Sequence, residues 1–81
     1  MIAYPTVVYG GQTVTVESNA SNEALNGAVI IVYNLAGAKI SEHSVQGSIT
    51  RIAVPQTTGI YILRLTGRNG APLGTTRIVV E

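Results

Sequence analysis

The chain has 81 residues, enough for one domain, and a fold of this size hides only about 60–65% of the surface its unfolded chain exposes. Hydrophobic residues make up 46%, which supplies one core, and the absence of cysteine excludes a disulfide framework and thiolate chemistry. Five Lys or Arg (Lys39, Arg51, Arg64, Arg68, Arg77) are dispersed against four Glu, with no Asp and one His; a net charge of +1 is too small for a nucleic-acid footprint.

Short β-rich runs recur between turn signals, and no stretch of ten residues has helical periodicity. The first is Tyr4 to Val8, stopped by Gly10-Gly11. In Gln12 to Glu17, Val14 and Val16 point one way and the Thr and Glu residues the other, the mark of a strand with one wet face. Ser18 to Asn26 is a polar loop, in which Glu23-Ala24-Leu25 has room for a single helical turn although a loop is the expectation. Gly27 to Asn34 contains the unbroken run Val29-Ile30-Ile31-Val32-Tyr33, which points to a central strand covered on both faces. Leu35-Ala36-Gly37-Ala38 is a tight turn with Gly37 supplying positive φ, and Lys39 to Val45 returns antiparallel to the preceding strand.

A second turn at Gln46-Gly47 leads to Ser48–Val54, which Pro55 ends because it cannot donate to a ladder. Gly59 opens a strand whose Tyr61, Leu63 and Leu65 share one face while Ile62 and Arg64 lie on the other. Asn69-Gly70 favours a type I′ hairpin, with Pro72 and Gly74 able to lengthen the loop, and Thr75 to Val80 is the last strand. Seven strands of this length and spacing predict an all-β fold, a seven-stranded antiparallel immunoglobulin-like β-sandwich, with a small barrel as the second choice. The longest apolar run, Ala28 to Tyr33, falls far short of the roughly 20 residues that a membrane span requires. Met1 to Pro5 has neither the basic start nor the apolar core of a signal peptide, so the expectation is a domain excised from a larger protein.

Catalysis has little to draw on. His43 is the only imidazole, expected on a strand exterior, and Glu42 beside it points to the opposite face and cannot orient it. A zinc site needs three or four ligands, and one His with no Cys cannot supply them. Four scattered Glu without Asp make a poor calcium site. Gly10-Gly11 precedes a strand rather than a helix and so forms no phosphate loop. Asn19-Ala20-Ser21 matches the N-glycosylation pattern but reads as loop chemistry. Tyr33 and Tyr61, inside apolar strands, are expected in the core with their hydroxyls at its rim. The expectation is a non-enzymatic domain without cofactor or metal.

The order of these signals resembles the type A C-terminal sorting domain of the type IX (Por) secretion system, found on exported proteins of Bacteroidetes. The residues that carry it are Tyr4-Pro5, Val29 to Tyr33, the turn Asn34-Leu35-Ala36-Gly37-Ala38-Lys39-Ile40, Val54-Pro55, the strand Gly59-Ile60-Tyr61-Ile62-Leu63-Arg64, and Arg77-Ile78-Val79-Val80. Two features depart from the family pattern: Tyr4-Pro5 is followed by Thr6-Val7 where a Tyr-Pro-Asn-Pro-like motif is usual, and the last strand has Arg77 where Lys is frequent, with Glu81 adding a terminal charge. The resemblance implies a secretion signal that folds in the periplasm behind an N-terminal cargo domain and is bound by secretion-system proteins of the outer membrane. It also implies removal by a sorting peptidase and delivery of the cargo to the cell surface.

Residue by residue, the resemblance assigns partner recognition to Gly37, Gly59, Tyr61, Arg64, Arg77, Ile78, Val79 and Val80. Each has a structural competitor: backbone conformation for the two glycines, the core for Tyr61, edge protection for the two arginines, and completion of the sheet for the last strand. The flush apolar end Ile78-Val79-Val80 is expected at a sheet edge, open to strand addition by a partner and leaving room for a weak homodimer. The alternative function is a structural or adhesive immunoglobulin-like module of a larger surface protein.

Overall fold

Eight strands and one short helix make up the fold, in a computed structural model that describes every residue from Met1 to Glu81. The first apolar run divides into β1 (Ile2–Tyr4) and β2 (Val7–Val8). Pro5, which has no N–H to give to a ladder, stands at the break, and the Tyr4-Pro5 peptide bond is cis. Before the break the chain belongs to one sheet and after it to the other. The remaining strands are β3 (Thr13–Glu17), β4 (Val29–Asn34), β5 (Lys39–Ser44), β6 (Ile49–Ala53), β7 (Gly59–Thr66) and β8 (Pro72–Val80).

One sheet has the order β1-β3-β6 and the other β2-β8-β7-β4-β5. Their inner faces meet in a core of 15 residues drawn from both: Val14, Val16 and Ile52 from the first, Ile30, Val32, Leu63, Leu65, Ile78 and Val80 from the second. Strict alternation produces this. Val14 and Val16 are buried between exposed or half-buried Thr13, Thr15 and Glu17, and Tyr61, Leu63 and Leu65 are buried while Arg64 is exposed, because successive side chains of a strand point to opposite faces.

Seven strands all running antiparallel are therefore not what forms. The count is eight because the first run breaks at Pro5, and β2 pairs parallel with β8, Val7 opposite Val79 and Val8 opposite Val80. The loop after β3 also contains helix α1 (Asn22–Leu25), where a plain loop was the expectation. Ser21 caps it, its Oγ accepting from the Ala24 N–H at 3.1 Å, and Leu25 plugs into the core at 4% exposure. Capping satisfies an orphan amide at the helix start and gives Ser21, the third residue of the glycosylation-like triplet, a structural task.

The two hairpins of the larger sheet close in the same way. In the β4–β5 turn the Gly37 N–H donates to the Asn34 carbonyl at 3.0 Å and the Asn34 N–H to the Ala38 carbonyl at 3.0 Å. In the β7–β8 turn the Gly70 N–H donates to Gly67 at 2.9 Å and the Gly67 N–H to Ala71 at 2.7 Å. Gly37 (φ +87°) and Gly70 (φ +86°) occupy the left-handed region. Asn69 does not, so the Asn-Gly pair builds a three-residue loop with one left-handed glycine rather than the two-residue type I′ turn, which needs positive φ at both central positions.

Candidate functional site

The outward face of the five-stranded sheet gathers most of the exposed residues that the sequence singled out. Residues directly opposite one another in an antiparallel pair share a face. Arg64 lies opposite Ile31 of β4 and Thr75 of β8, and Ile62 lies opposite Tyr33 and Arg77. Ile60 lies opposite Val79, which faces Val7 of β2 in turn. The result is an apolar stripe of Ile31, Tyr33, Ile60, Ile62, Val79 and Val7, crossed by the exposed cations Arg64 and Arg77 on a diagonal of neighbouring strands. Val7 is 52% exposed; the other five stripe residues are half-buried without any layer above them.

Arg64 is held over an aromatic ring. Its guanidinium carbon is 5.5 Å from the centroid of Tyr33, a cation–π contact worth roughly 0.5–1 kcal/mol at an exposed site. Lys39, opposite Tyr33 across an irregularity in the β4–β5 ladder, donates to Glu42 Oε1 at 2.8 Å. Hydrogen bonding to that carboxylate, together with its charge, raises the Lys39 ammonium above its ordinary 10.5.

The sequence-derived residues split into two groups. Arg64, Arg77 and Val79 lie on the outward face, and Gly37 sits at the exposed tip of the adjacent hairpin. Tyr61, Ile78 and Val80 lie in the core at 5%, 0% and 0% exposure, where no partner can touch them while the domain is folded. Gly59 begins β7 as expected, yet its φ is not left-handed, and a Cβ there would meet the Tyr61 ring at an ordinary 3.7 Å. Backbone conformation therefore requires glycine at position 37 and not at 59.

Three local expectations are corrected. The last strand is not a sheet edge where it ends: β2 flanks it, with the Val79 N–H donating to Thr6 at 2.7 Å and the Glu81 N–H to Val8 at 2.8 Å. The open edge on the other side of that sheet is β5. Tyr33 belongs to the outward face rather than the core, because Ile30 and Val32 take the inward positions of β4. His43 lies opposite buried Ile30 and shares its inward face, half-buried, with Ser41 Oγ 3.1 Å from its Nε2. Glu42 faces the other way, as expected, so no carboxylate orients the ring.

Tyr33 and Ile31 were missed as members of the face. The alternation of β7 already placed Ile62 beside Arg64; the β4–β7 register that adds Tyr33 joins segments about thirty residues apart and leaves no local signal. No cluster of three or more His, Cys, Asp or Glu is positioned to hold a metal ion, and no helix is long and apolar enough to cross a membrane. Comparison of the chain with protein-family models, curated proteins and solved structures yields no match.

Proposed function

We propose that this chain is a non-catalytic C-terminal secretion signal, an immunoglobulin-like sandwich that directs an attached cargo through the type IX secretion system to the cell surface. The observation that carries the reading is the convergence of Gly37, Arg64, Arg77 and Val79, named by the resemblance from three separate segments, around one outward face. A face that is apolar, cationic and uncovered is suited to docking on another protein.

Two features support the immunoglobulin-like description. With β1 and β2 taken as halves of one broken strand and counted with the smaller sheet, the order sets three strands against four. Tyr61, at the corner leading from β6 into β7, donates its hydroxyl to the Thr57 carbonyl at 2.7 Å, and a tyrosine bonded to backbone a few residues upstream at this corner recurs in such sandwiches. In this reading the domain folds in the periplasm behind its cargo, and outer-membrane components of the apparatus bind the face, with a sorting peptidase acting afterwards.

The test is an export assay in a type IX-competent host, with a signal peptide and reporter placed ahead of the domain. Deleting Arg77 to Glu81 is uninformative, because it removes fully buried Ile78 and Val80 and with them the fold. The informative variant reverses charge on the surface, Arg64→Glu with Arg77→Glu. Wild type is expected to carry the reporter outside and the double variant to leave it in the periplasm with an unchanged far-UV spectrum. Failure of the wild-type domain to direct export, or full export of the folded double variant, would refute the proposal.

A further inference from the structure

We propose that the shallow depression between the β4–β5 hairpin tip and Arg64 binds a carboxylate carried on an apolar segment of a partner protein. This rests on the docking-face reading above and names the chemistry that the face selects. Tyr33, Asn34, Leu35, Gly37, Ile62 and Arg64 line a depression of about 270 Å³. Its walls are the Tyr33 ring and the side chains of Ile62 and Leu35, and its one charged group is the Arg64 guanidinium.

Charge complementarity identifies the occupant. The only ion pair of the chain is Lys39 with Glu42, at 2.8 Å, so the acid that β5 presents on this face is already engaged. Arg64 and Arg77 have no acidic partner, and Arg64 is braced on Tyr33 rather than on a carboxylate. A guanidinium offers a planar fork of donors that fits a carboxylate through two parallel bonds. The apolar walls call for an anion that arrives on hydrocarbon, as Glu or Asp does beside Leu or Val in an extended peptide, and disfavour a free, fully hydrated anion.

The hairpin tip strengthens the case. Leu35 is 68% exposed, and the turn that carries it is fixed by the two backbone bonds described above and by the Ala38 N–H donating to Asn34 Oδ1 at 2.9 Å. A large apolar side chain held outward on a rigid turn loses little freedom on binding.

The test uses the whole chain and a short capped peptide of alternating Leu and Glu as probe, followed by NMR. Saturable shifts are expected at the Arg64 Nε–H and at the amides of Ile62 and Gly37, weakening as salt is raised. Arg64→Gln is expected to reduce affinity about tenfold, the worth of one charged hydrogen-bonding contact, and Leu35→Ala to reduce it severalfold. Arg51→Gln, on the other sheet, is expected to leave it unchanged. All three positions are exposed, and the amide spectrum verifies that each variant is folded. No saturable shift, an equal response to a Leu–Lys peptide, undiminished binding by Arg64→Gln, or shifts only with phosphatidylglycerol-containing vesicles would each overturn the proposal. The two hypotheses fail separately: export by the wild-type domain without peptide binding removes the carboxylate site alone, and peptide binding without export removes the secretion reading alone.

Discussion

Replacing Ile78 with alanine separates the two roles that the last strand could have. Ile78 is fully buried opposite Tyr61 in the middle of the β7–β8 ladder. The substitution removes all of its side chain beyond Cβ, three carbons whose transfer to water costs about 0.8 kcal/mol each. The cavity left between two sheets that cannot collapse onto it raises the total to about 3–4 kcal/mol. Arg77, the preceding residue, points outward and is exposed, so Arg77→Ala should stay within about 0.5 kcal/mol of wild type. A domain of this size has about 5 kcal/mol to lose, so Ile78→Ala removes most of the margin and Arg77→Ala almost none. Urea unfolding followed by far-UV circular dichroism measures both, as a fall in midpoint at constant slope. If Ile78→Ala costs less than about 1 kcal/mol, or Arg77→Ala costs as much as Ile78→Ala, the alternation assigned to β8 is wrong.

Tyr61→Phe removes the hydroxyl bonded to Thr57 and should cost about 1 kcal/mol, read as a fall of about 4–8 °C in Tm; an unchanged melt would mean the bond is idle. Gly10→Ala should be disruptive, since the added Cβ would come within 2.6 Å of the Gln56 carbonyl oxygen, and a backbone clash of this kind costs about 1–3 kcal/mol. Gly59→Ala, with ordinary contacts and no left-handed φ, should be neutral or stabilising by about 0.5 kcal/mol in the same denaturation assay. The Lys39–Glu42 pair should be intact from neutral pH up to 10.5, the ordinary lysine value, and be lost as pH rises through the higher folded value. NMR titration of the Lys39 side chain should show that raised midpoint, and Glu42→Gln should bring it back toward 10.5.

The parts of the fold that were legible are those written in adjacent residues. The period-2 pattern of Val14–Val16 and of Tyr61–Leu65 fixed which side of each strand is buried, and Gly37 marked a turn whose φ only glycine adopts readily. Long-range pairing was hidden. Val7 and Val8 reach Val79 and Val80 from the far end of the chain, so nothing near Ile78 announces that the last strand is flanked on both sides. The run Val29 to Tyr33 suggested cover on both faces because every residue is large. The structure covers one face and leaves Ile31 and Tyr33 on the other, where they join Ile62 and Arg64 only once β7 lies alongside. Asn69-Gly70 was the converse case: the dipeptide correctly marked a hairpin, but the turn's geometry depended on Gly67 and Ala71 as well.

The parallel contact between β2 and β8 determines how the domain meets mechanical load. A pull between the start of the chain and Val80 acts along β2 in one direction and along β8 in the other. The bonds from Val79 to Thr6 and from Glu81 to Val8 then carry the tension side by side. They must yield together instead of opening one after another like a zipper. A load applied to the front of the domain while its last strand is held would strain this clasp before it disturbed the core behind it.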